Sequence, residues 1–70
     1  MNAATYTRRF QKALDAYMVV NNLGSELTPT QVDNMLNATC QRMQRRYHLS
    51  DAESAAHRTR IFDSVAKGKQ

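Results

Sequence analysis

The chain has no tryptophan, one cysteine, one proline and two glycines in 70 residues. Each shortage excludes something. A single thiol has no partner within the chain, so no internal disulfide framework can staple the fold. With Gly24 and Gly68 as the only glycines, there is no glycine-rich loop to cradle a phosphate. No apolar stretch approaches the length of a membrane span. Tyr17-Met18-Val19-Val20 is a short apolar run inside a polar, periodic segment, not the core of a signal peptide. No run of five like charges occurs, so neither end reads as a charged tail. A free thiol and no export signal give a cytoplasmic location as the expectation.

Large apolar side chains are also scarce. Apolar residues make up 41% of the chain, but nine are alanine and four methionine. Leu, Ile, Val and Phe together number only 12, near the level at which a chain struggles to fold alone. A core this thin supplies at most ~3–5 kcal/mol. Small chains meet that deficit with disulfides, metal or association. The expectation is a single domain over 1–70, completed by self-association or by a partner.

What is present is helix punctuation. Thr28-Pro29-Thr30-Gln31 is a capping box with proline at the first helical position. Leu27 and Val32 have the spacing of a hydrophobic staple around it. Ser50-Asp51-Ala52-Glu53 repeats the box and puts two carboxylates at the positive end of a helix dipole. Gly24 is a natural terminator for the first helix. These signals predict helices over roughly 4–22, 29–47 and 51–66, with no strand. Short connections make consecutive helices neighbours, so the fold class is all-α, a small three-helix bundle.

Apolar periodicity predicts the inward faces. The first helix aligns Tyr6, Phe10, Ala13, Leu14, Tyr17 and Val20. The second aligns Val32, Met35, Leu36, Thr39, Cys40, Met43 and Tyr47, and the third Ala52, Ala55, Ala56, Thr59, Phe62 and Ala66. The small residues of the third would let it approach the others closely. Val19, beside Leu23 and opposite the Tyr6–Tyr17 stripe, then falls outside the core. Ile61 and Val65, an i,i+4 pair, do the same. Val19, Leu23, Ile61 and Val65 form the expected partner-binding set, because apolar surface that a thin bundle cannot bury marks an interface.

Catalysis and metal binding find little support in the residues. Ser50 and Asp51 are occupied by capping, and His57 follows Glu53 by one helical turn, the spacing of a surface ion pair. A catalytic histidine needs a nucleophile in reach and a cleft that excludes water. Cys40, His48, His57, Asp51 and Glu53 contain no chelating pair on one helical face. Cys40 lies on the core stripe as a small apolar filler, and His48 at the end of the second helix is placed to cap carbonyls. No catalytic residue, cofactor, metal or small-molecule substrate is assigned.

The formal charge is +4 and the pI about 9.7. Arg42, Arg45 and Arg46 crowd the end of the second helix, Arg58 and Arg60 follow on the third, and Arg8, Arg9 and Lys12 lie on the first. Guanidinium groups suit phosphates, and Cys40–Ile61 reads as helix, turn, helix. Three details oppose conventional major-groove reading by the third helix. Its leading end carries Asp51 and Glu53, where that motif meets base edges. The turn holds His48 where glycine would serve, and its inward positions would be the polar Ser54 and His57.

Two functions therefore stand as expectations. The first is a non-enzymatic helical binding module acting by protein contacts, as a homo-oligomer or as a regulator or inhibitor of a larger protein. The alternative is a nucleic-acid-binding regulator using Arg42, Arg45, Arg46, Arg58 and Arg60.

Overall fold

Three 18-residue helices make up the computed structural model, which describes residues 1–24 and 26–68: α1 (Ala3–Val20), α2 (Pro29–Arg46) and α3 (Asp51–Gly68). Among the described residues there is no strand, and no helix is long and apolar enough to cross a membrane. The radius of gyration is 11.9 Å, close to the ~11 Å of a compact chain this long.

The capping signals act locally, with two revisions. Thr28 Oγ1 accepts from the Gln31 amide at 3.2 Å, and Gln31 Oε1 accepts from the Thr28 amide at 2.9 Å, closing the box. Asn2 caps α1 by accepting from the Thr5 amide at 2.8 Å. At α3 only half the box forms. Ser50 accepts from the Glu53 amide at 3.1 Å, while the Glu53 carboxylate accepts from the Met1 amine at 3.3 Å. Gly24 is not the terminator of α1. Asn22 takes the left-handed conformation (φ 54°), and Leu23 donates back to the Met18 carbonyl at 3.0 Å. That is a Schellman turn, which asparagine tolerates. The rest of the Leu23–Leu27 connection includes Ser25, which lies outside the described residues.

The same turn ends α2. His48 sits at φ 53°, and Leu49 donates to the Gln44 carbonyl at 3.0 Å. His48 thus closes the helix with its backbone, taking the place that glycine would fill. An L-residue there costs ~1–2 kcal/mol, partly offset by the ~0.4–1 kcal/mol that glycine adds to the freedom of the unfolded chain. His48→Gly, at an exposed position, is expected to stabilise by about 0.5–1 kcal/mol. The urea midpoint should rise; a lower midpoint would contradict the turn geometry.

Around the centre, Tyr6 and Phe10 of α1, Leu36, Cys40 and Met43 of α2, and Ile61 of α3 form one buried cluster. Thr39, also buried, donates its hydroxyl to the Met35 carbonyl at 2.8 Å. The stripes predicted for α1 and α2 are buried or half-buried, except that Val20, in the last turn of α1, is 81% exposed.

Helix α3 is turned differently from the expectation. Ser54, His57 and Ile61 are buried and Val65 packs on the cluster, whereas Ala52, Ala55, Ala56, Thr59 and Ala66 are exposed. Phe62 lies between the two faces, half-buried. Area decides this: a buried Ile or Val contributes ~1.5–3 kcal/mol, and an alanine methyl far less. The face with the larger side chains wins once its polar members find partners. Ile61 and Val65 therefore leave the expected partner-binding set and join the core.

Candidate polyanion-binding groove

The buried polar group of α3 is satisfied by stacking and by an arginine. The His57 ring lies parallel to Tyr6, centroids 4.1 Å apart and planes 6° apart. Its Nδ1 accepts from Arg60 Nη2 at 2.8 Å, which places the ring proton of the neutral imidazole on Nε2. The spacing to Glu53 suggested a surface ion pair, but Glu53 pairs with the Met1 amine instead. Burial, then the Arg60 charge, lowers the His57 pKa, opposed by the Met1 backbone and Glu53. Burial raises Tyr6, with the Cys40 thiol adding to the shift, and burial also raises Cys40. The Tyr6 hydroxyl is fully buried and, among the described residues, has no hydrogen-bond partner.

These shifts set a pH window for stability. Below the ordinary histidine value of 6.5 the unfolded chain takes up a proton that folded His57 resists, so stability falls with pH. Above about 9 the unfolded chain releases the Cys40 proton, and above 10 that of Tyr6, which the fold retains, so stability falls again. The denaturant midpoint should be flat between about 6.5 and 9 and decline on both sides. A midpoint unchanged from pH 7 to pH 5 would contradict the burial of His57.

The five arginines expected to act together are divided. Arg58 donates from Nε to Asn37 Oδ1 at 2.9 Å and covers the Phe62 ring at 4.9 Å. Arg60 is held by His57 and lies 5.9 Å from the Tyr6 centroid. Arg60 is half-buried and used in packing, while Arg58 is exposed with its Nε bonded to a neutral amide. Arg45 is exposed and stands outside the groove described next. Of the five, and among the described residues, only Arg42 and Arg46 line a groove with further cations.

Those further cations are Arg9 and Lys12 of α1. With Arg42, Met43 and Arg46 of α2, and with Ala13, Ala16 and Tyr47, they line a groove of about 390 Å³ between the two helices. Tyr47 is half-buried, and two guanidinium groups attend its ring, Arg9 at 4.8 Å and Arg46 at 5.7 Å from the centroid. Such contacts hold the two side chains at the rim without neutralising them. Among the described residues the one ion pair is Met1–Glu53, so none of the four cations meets a carboxylate. Asp15, three residues beyond Lys12, accepts from Gln11 at 3.0 Å.

A second, more open concavity of about 560 Å³ is lined by Asp15, Met18, Val19, Asn22 and Leu23. Val19 is 79% exposed there, outside the core. Leu23 is half-buried, and its amide closes the Schellman turn on the Met18 carbonyl.

Sequence reasoning placed Arg9 and Lys12 only as early charges of the first helix. A signal for the groove was present: Arg9, Lys12 and Ala16 follow helical spacing beside the core stripe, and Arg42 and Arg46 form an i,i+4 pair. Packing α1 against α2 brings the two sets together. No family model matches the chain, and neither a curated protein nor a solved structure shows significant similarity to it.

Proposed function

We propose that this chain is a small non-enzymatic helical binding module whose α1–α2 groove engages the phosphates of a nucleic acid. One observation carries the reading: Arg9, Lys12, Arg42 and Arg46 converge on one groove and, among the described residues, no carboxylate answers them. Four formal positive charges thus share one groove. Such a surface repels itself and gains from an anion. Guanidinium forks match phosphate geometry, and the gain comes from released counterions. Anisotropy of a labelled oligonucleotide, titrated with protein at rising salt, tests it. Binding should weaken linearly on a log–log scale, and Lys12→Gln with Arg42→Gln should flatten the slope. No binding at low salt overturns the proposal.

A protein partner or a second copy is the other reading, as a regulator or inhibitor that works by contact. Val19 and Val20, 79% and 81% exposed side by side, favour it. The site is then the end of α1, with Val19 and Leu23 but without Ile61 and Val65. Val19→Asp should abolish association while leaving helicity intact. A monomer by light scattering, unaffected by salt, with no partner whose binding Val19→Asp disturbs, removes this reading.

A further inference from the structure

The shape of the groove says more than its charge. Elements that read duplexes are convex: a helix or ribbon enters the major groove, roughly 12 Å wide, and presents side chains outward to base edges. Here the cations line a concavity, two on the α1 wall and two on the α2 wall. The α1 wall also carries Ala13 and Ala16, small enough to let a chain settle, and the buried Met43 of α2 lines the groove below the cations. Proteins that hold single strands use this arrangement, a basic groove tracking one backbone with an aromatic group beside it. Arg9, with its Cζ 4.8 Å from the Tyr47 centroid, places a guanidinium over a ring, and guanidinium planes accept a base by stacking. The outer face of α3, by contrast, begins with Asp51, which holds Gln44 at 2.7 Å and faces a polyanion with negative charge.

From these features we infer that the groove takes a single-stranded nucleic acid, one phosphodiester backbone lying between α1 and α2 with a base over Arg9. The inference rests on the phosphate-binding reading and narrows it. From Arg9 to Ala16 the α1 wall runs about 10 Å at helical rise. A stacked strand rising about 3.4 Å per nucleotide places roughly three phosphates along it. Three or four neutralised phosphates on a single strand give a salt slope of about −2 to −3.

The test compares four probes at low salt: labelled oligo-dT and oligo-rU of about eight nucleotides, within the range of single-strand site sizes, a short DNA duplex, and poly-glutamate. The single strands should bind at least about tenfold more tightly than the duplex, with the slope above. Either sugar supports the inference, because phosphates and a base face are common to both. Arg9→Gln with Arg42→Gln should weaken single-strand binding and flatten its slope, and circular dichroism of these exposed-site variants should match the parent. If the duplex binds as tightly, and through the same two residues, the single-strand inference falls and the phosphate reading stands. Equal binding of poly-glutamate, or no binding of any probe, overturns both.

Discussion

Ile61→Asp is expected to unfold the chain. Ile61 is 9% exposed and packs with Tyr6, Phe10, Leu36, Cys40 and Met43. Losing its burial removes ~1.5–3 kcal/mol. The new carboxylate would lie among apolar side chains, and an uncompensated buried charge costs ~3–5 kcal/mol. A thin core of this size supplies no more than ~3–5 kcal/mol in total, so the folded state should be lost. Far-UV circular dichroism and a missing cooperative thermal transition would report it. Val19→Asp is the control: at 79% exposure it should change stability by less than ~0.5 kcal/mol. If Ile61→Asp keeps the helicity and melting temperature of the parent, then α3 presents its alanine face to the core and the packing described above is wrong.

Reversing two charges in the groove, Arg9→Glu with Arg46→Glu, should remove nucleic-acid binding. The two arginines stand on opposite walls and meet at Tyr47, 4.8 and 5.7 Å from its centroid. A hydrogen bond to a charged group is worth ~1.5–3 kcal/mol, so losing two weakens binding by at least about a hundredfold, before repulsion is counted. Both side chains are exposed, so the fold should survive. The informative comparison is Arg58→Glu with Arg60→Glu. Those arginines are held by Asn37, Phe62 and His57, so their reversal should lower stability and affect binding less. If the α3 pair abolishes binding and the groove pair does not, the phosphate site belongs on α3.

Much of the local structure could be read from single residues. The Thr28–Gln31 box, the Pro29 start and the stripe from Met35 to Met43 depend on contacts within a few residues, where spacing alone determines who meets whom. The α1 stripe was legible as far as Tyr17 and misleading at Val20, because nothing local tells where the neighbouring helix stops. Glycine misled in the other direction. Asn22 and His48 make the two left-handed turns, since the backbone hydrogen bonds of the Schellman motif matter more there than the usual residue preference.

The site was half legible for a related reason. Arg42 and Arg46 share a helix face and could be paired by spacing. Arg9 and Lys12 join them only across an interhelical contact. Arg45, Arg58 and Arg60 carry the same charge, yet none of them lines the groove. Ser54 and His57 counted against a helix-turn-helix reading as polar inward positions, yet both are buried in the bundle, His57 with the Tyr6 stack and Arg60.

By itself, then, the sequence determined three helices, their caps and the inward faces of α1 and α2, because those follow from period and from neighbours three or four residues away. Only the tertiary structure decided which face of α3 turns inward and which of the cations share a groove. The alanine face of α3 is as regular as the Ile61 face, so periodicity cannot choose between them. The choice is made by the area each buries and by whether Tyr6 and Arg60, distant or on the far side of a turn, can satisfy His57.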